Sequence, residues 1–188
     1  MLSSKLHTEK WGKRMRECNI GVIIGYITAE EGGGMRVKRP GILVSACLLG
    51  VNCRYSGNGK RIEGIERLME RAELIPVCPE ILGGLPTPRP PAERIGDRVM
   101  NREGADVTAA FARGAEETLR LAELFGANMA LLKERSPSCG AGKIYDGSFQ
   151  GQIVDGSGVT AELLAAHGVS VYGESRIDEL LKVLEENT

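Results

Sequence analysis

Three cysteines stand at the ends of three hydrophobic runs. Ile42-Leu43-Val44-Ser45-Ala46 leads into Cys47, and Leu74-Ile75-Pro76-Val77 leads into Cys78-Pro79-Glu80. Met129-Ala130-Leu131-Leu132 leads, a few residues on, into Ser136-Pro137-Ser138-Cys139-Gly140. Thiolates are soft ligands that suit iron–sulfur clusters and zinc. Cys47 or Cys78 taken singly reads as a small core hydrophobe, since free cysteine is among the most buried residue types. Three of them, each followed by turn-forming residues, read as a site. A structural zinc site normally shows close C-x2-C pairs, and this sequence has none. Three thiolates from distant segments can hold three irons of a [4Fe–4S] cluster and leave the fourth iron open as a Lewis acid. Spacing alone leaves two alternatives standing: zinc on three thiolates with a water, or a bare cysteine nucleophile. The nucleophile needs a base, and neither His7 nor His167 is near a cysteine in sequence.

The elements that must position these residues follow from the hydrophobic pattern. Strands are expected at Gly41–Ala46, Glu73–Val77, Ala127–Leu132 and Val169–Tyr172. Helices are expected around Ile62–Met69, from Asp106 or Thr108 to Phe125, at Val159–His167 and at Ser175–Glu185. Strands alternating with helices predict an α/β fold: a single-domain, open, mostly parallel sheet with helices on both faces. In such sheets ligands gather at the carboxyl ends of the strands, where the three cysteines would sit. Gly83 to Pro91 is too rich in Gly and Pro for regular structure and reads as a functional loop. Gly147 to Gly158 reads as a second, glycine-rich loop.

Composition bounds the function. The chain has 188 residues, 42% hydrophobic and 26% charged, as in an ordinary globular domain. Lysine and arginine number 24 against 25 acids, so the chain as a whole carries no strong nucleic-acid signal. No apolar run is long enough to span a membrane. Five cysteines without a signal peptide point to a reducing cytoplasm. Nothing in the sequence sets an oligomeric state. Residues 1–34 read differently from the rest: Glu30-Glu31-Gly32-Gly33-Gly34 before Met35 is what a ribosome-binding site translated in frame would give. Residues 1–34 are therefore expected to be a non-native or poorly ordered extension, with Cys18 incidental, and residues 35–188 the functional domain.

At these residues the chain resembles the thiouracil desulfidase (TudS-like) family. The matching pieces are Val44-Ser45-Ala46-Cys47-Leu48-Leu49-Gly50, Cys53-Arg54-Tyr55-Ser56-Gly57, Pro76-Val77-Cys78-Pro79-Glu80 with Gly83-Gly84-Leu85, Pro88-Arg89-Pro90, Leu132-Lys133, Ser136-Pro137-Ser138-Cys139-Gly140, Ile144-Tyr145-Asp146-Gly147 and Gly158-Val159-Thr160. The family usually has aspartate where Ser56 stands, a small departure in a turn. The resemblance implies a [4Fe–4S] enzyme that removes sulfur from a small thiolated pyrimidine without net redox change. It implies Cys47, Cys78 and Cys139 as cluster ligands, Glu80 as the catalytic acid–base group and Ser136, or else Ser138, as the catalytic hydroxyl. Cys53 would be a neighbour of the cluster. Arg54 and Arg89 would bind the uracil oxygens or a phosphate; ordinary ion pairs are the plainer alternative for both. The competing functional class is a non-catalytic, cysteine-ligated metal or cluster-binding module.

Overall fold

The computed structural model describes Ile27–Thr28, Arg36–Val37 and residues 39–186. The chain divides into two units, Met1–Lys38 and Arg39–Thr188. In the first, β1 (Ile27–Thr28) pairs antiparallel with β2 (Arg36–Val37). Apart from β1, the expectation for residues 1–34 lies outside the described residues.

The second unit begins with β3 (Gly41–Ser45), a short 3-10 turn at Ala46–Leu49, α1 (Ile65–Arg71), β4 (Glu73–Val77) and α2 (Pro79–Leu82). It continues with β5 (Ala92–Ile95), β6 (Arg98–Asn101), α3 (Thr108–Phe125), β7 (Met129–Leu132), β8 (Lys143–Tyr145) and β9 (Ile153–Asp155). It closes with α4 (Val159–Ala166), β10 (Ser170–Gly173) and α5 (Ile177–Glu186). Among the described residues no helix is long and apolar enough to cross a membrane.

The sheet has four parallel strands in the order β10-β7-β3-β4. Successive side chains of a strand point to opposite faces, and each face meets its own helices. Ile42 and Val44 of β3 and Leu131 of β7 pack with Ile65 and Leu68 of α1 and Leu180, Leu181 and Leu184 of α5. Leu43 of β3 and Ala130 and Leu132 of β7 pack with Ala122 of α3 and Ala161 and Leu164 of α4. Burial on both sides is why these strands are continuous apolar runs rather than alternating ones. The edge strand β4 tolerates Pro76, which stands opposite Val44. From β3 the chain builds outward to β4; from β7 it builds the other way to β10. The order therefore reverses between β3 and β7, and the crevice beyond that reversal is where an open α/β sheet binds its ligand.

Two antiparallel hairpins go beyond the sequence reading. β5 pairs with β6 across Gly96-Asp97, with Gly96 at φ 59°, a two-residue connection of the kind that favours hairpins. β8 pairs with β9, so the glycine-rich stretch expected to be all loop contains a strand at Ile153–Asp155.

Candidate active site

Each strand of the central trio ends in a device that turns its cysteine toward the crevice. After β3 the chain tightens into the 3-10 turn that holds Cys47, closed by Gly50 in the left-handed region at φ 93°. After β4, Cys78 caps α2, Pro79 takes the first helical position and Glu80 lies in the first turn. After β7, the Ser136 hydroxyl accepts hydrogen bonds from the amides of Ser138 and Cys139, both at 3.1 Å, and folds the loop that carries Cys139. Close backbone approaches fix two of these turns. A Cβ on Gly114 of α3 would stand 1.9 Å from the Pro79 carbonyl oxygen, and one on Gly158 would stand 2.3 Å from that of Ser138.

Cys47, Cys53, Cys78, Cys139, Glu80, Ser136 and Arg54 all line one cleft of about 610 Å³. The four cysteines are free thiols. Cys53 shares thiol hydrogen bonds with both Cys47 and Cys78, and Cys78 Sγ approaches the Cys53 carbonyl at 3.7 Å. The hydrogen bond to Cys47 and burial push the Cys53 thiol up to about 11. Cys78 is also raised, by its hydrogen bond to Cys53 and by burial. Burial pushes Cys139 up to about 12, against the partial relief of a hydrogen bond from Ser45. Without a metal Cys53, Cys78 and Cys139 therefore favour the protonated thiol, and a soft metal must displace a proton from any of them that it binds.

Arg89 and Ser138, expected at the substrate, have other partners. Arg89 lies beneath the cleft with its side chain 5% exposed. Its Nε donates to Glu80 Oε2 at 2.7 Å, one terminal nitrogen donates to Pro86 O and Thr87 Oγ1, and the other donates to Cys53 O at 3.1 Å. A planar guanidinium with rigidly placed donors is suited to this clamping. Ser138 is wholly buried, with its hydroxyl paired to Thr160 Oγ1 at 2.8 Å. Ser45, Arg102 and Phe149, not singled out in the sequence, line the same cleft, as does Glu93, which follows the Gly83 to Pro91 loop and had no role assigned. Ser45 had a readable signal, being a polar residue inside an apolar run; its hydroxyl also accepts from the Lys133 amide at 2.9 Å, joining β3 to the end of β7.

The donor set suits an iron–sulfur cluster. Among the described residues no three His, Cys, Asp or Glu side chains converge closely enough to hold a single metal ion. Thiols distributed around a cleft match a cluster, where each cysteine takes a different iron, better than a lone zinc, which gathers its ligands about one point.

A parallel α/β sheet with a thiol-lined crevice at its topological switch point places the chain in the class of α/β proteins that bind their ligand at the strand ends, here with soft donors. The match to the 2-thiouracil desulfurase family extends over residues 42–176, and the chain belongs to that family. A Bacillus subtilis (strain 168) protein of uncharacterized role, YbbK, is 43% identical over an alignment of 150 residues that covers 74% of this chain and 99% of YbbK. Among solved structures, the [4Fe-4S]-dependent thiouracil desulfidase TudS is similar with a TM-score of 0.75 and 48% identity, covering 78% of this chain and 99% of that one.

Proposed function

We propose that this protein replaces the sulfur of a thiolated uracil (2- or 4-thiouracil, or a small thiouridine derivative) with oxygen from water, releasing uracil and hydrosulfide. A [4Fe–4S] cluster would be held by Cys47, Cys78 and Cys139, with Cys53 beside it. The observation that carries the reading is the meeting of three cysteines from three strands with Glu80 in one cleft. When bound, the cluster supplies an open, soft iron that polarises a thiocarbonyl.

The chain's own residues account for the rest. Glu80 Oε2 is engaged by Arg89, which leaves Oε1 to take a proton from the water that attacks the ring carbon. Arg89 acts through Glu80 as a positioning residue, in place of the substrate contact expected from sequence. Ser136 accepts two backbone amides, so its own O–H is left to donate to developing negative charge. Arg54 lines the cleft; its backbone is paired within the turn to Asn58 and Gly57, while its guanidinium makes no hydrogen bond or ion pair among the described residues and supplies a donor for a pyrimidine oxygen. Ser138, sealed against Thr160, serves the loop rather than the substrate. The four free thiols support a reducing, cytoplasmic setting.

Anaerobic purification followed by iron analysis and incubation with 2-thiouracil and 4-thiouracil tests the reading. About four irons per chain and formation of uracil with hydrosulfide are expected. A chain that carries zinc and turns over neither base would overturn it.

A further inference from the structure

Glu80, Glu93, Glu134 and Glu174 line the cleft; Glu134 is taken up by Ser175 and Glu174 by Lys133, and the chemistry above leaves Glu93 idle. It is only 8% exposed and has no ion-pair partner among the described residues. The one hydrogen bond of its side chain among the described residues is accepted by Oε2 from the Phe149 amide at 2.9 Å. No buried polar side-chain atom among the described residues lacks a partner, so the Oε1 that Phe149 does not use keeps access to solvent, and Glu93 lines the cleft. Phe149 lines the same cleft and adopts φ 59°. Left-handed backbone is unfavourable for a residue with a Cβ, and such strain persists where the surroundings hold a functional geometry. Arg102 braces the ring, with its guanidinium carbon 5.8 Å from the centroid. The cleft thus contains a largely buried carboxylate with one accessible oxygen, beside an aromatic residue with left-handed backbone.

A flat heterocycle with a ring N–H is complementary to that pair. Building on the desulfuration reading above, we propose that Glu93 and Phe149 form the base-recognition wall of the cleft. Glu93 Oε1 accepts a ring N–H of the substrate, and the Phe149 ring stacks against its face. The substrate class is thereby narrowed to cyclic thioamides that present a free ring N–H on the side facing Glu93. Glu93 makes no bond in the reaction; it selects and orients.

The test compares 2-thiouracil with its N1-methyl and N3-methyl derivatives on the cluster-loaded protein. Wild type should discriminate against one methyl isomer by on the order of 10- to 100-fold in kcat/KM, the range for a hydrogen bond to a charged group. Glu93→Gln keeps the Phe149 amide satisfied through its amide oxygen and turns an NH2 donor toward the substrate N–H. It should raise KM for 2-thiouracil on the order of 10- to 100-fold with iron content unchanged. Glu93→Ala should abolish the discrimination between the isomers. Phe149→Gly relieves the backbone while removing the ring, so thermal stability should hold or rise while the KM for 2-thiouracil climbs on the order of 10-fold. Equal use of both methyl isomers by wild type, or a Glu93→Gln enzyme with unaltered KM, would overturn this inference and leave the desulfuration reading intact. A wild-type protein with no turnover of any of these bases would defeat that reading instead. Equilibrium binding of uracil, weakened by Glu93→Gln or not, would then decide the inference without it.

Discussion

The floor of the cleft hangs from three parallel strands, and its rim is borrowed from two antiparallel hairpins. On the floor, Cys47 and Cys139 follow strands whose side chains are shut inside two helix-covered cores, and Cys78 follows the edge strand β4 directly after the buried Val77. Glu80 beside them is clamped by a guanidinium that also holds Pro86, Thr87 and Cys53. On the rim, Glu93 follows β5's register, Arg102 trails β6 and Phe149 lies between β8 and β9, each held by one or two contacts. The floor has to hold reacting atoms in one geometry, and dense burial provides that. The rim has to admit and select a ring, and loops on a rigid scaffold do that with fewer constraints. Chemistry and selection should therefore respond differently to substitution.

The largest effects belong to the floor. Replacing Cys47, Cys78 or Cys139 by Ala should remove most of the iron and reduce turnover to background, as read by iron analysis and the visible spectrum. Cys53→Ala should leave iron content unchanged, and loss of iron there would make Cys53 a ligand. Glu80→Gln should keep the iron while kcat falls on the order of 10²- to 10⁴-fold, the usual contribution of a general base; unchanged kcat would remove Glu80 from the reaction. Arg89→Met leaves a half-buried carboxylate unpaired and should cost about 3 kcal/mol in urea unfolding, with the double variant Glu80→Gln, Arg89→Met recovering part of it. Gly114→Ala, pressed against Pro79 on the turn that carries Glu80, should cost about 1–3 kcal/mol.

The smallest expected effect sharpens the comparison at the rim. Asp106 ties the β5–β6 hairpin to the start of α3, accepting from the amide and hydroxyl of Thr108 and from Arg98. The Thr108 hydroxyl, the Thr108 amide and Arg98 hold its carboxyl down at about 2. Its folded value lies below its unfolded one, so its stabilisation is present above about pH 4 and fades as pH falls toward 2. The melting-temperature gap between wild type and Asp106→Asn should therefore close on acidification between those limits. A gap that stays constant would mean the carboxylate charge is not what secures the hairpin.

What the sequence disclosed follows the same division. The strands of the sheet were readable because Ile42-Leu43-Val44 and Ala130-Leu131-Leu132 are buried on both faces and leave an unbroken apolar signature. The cysteines at their ends were readable for the same reason. β5 was hidden because its burial opposes residue type: Glu93 is inside while Ile95 is 47% exposed, which no hydrophobic pattern predicts. Gly96-Asp97 was the available signal, a hairpin turn between short segments. Arg89 could not be assigned from sequence, since only folding brings Glu80, Pro86, Thr87 and the Cys53 carbonyl around one guanidinium. Ser136 and Ser138 could not be told apart in the sequence for a related reason: they have the same chemistry, and only the tertiary contact of Ser138 with Thr160 distinguishes them.

Pro76 has a consequence beyond the site. It stands in the outermost strand of the sheet, exposed and without an amide hydrogen. A strand arriving from another molecule to extend the array at that border would meet a missing donor halfway along, and ribbon-like growth from this side is discouraged.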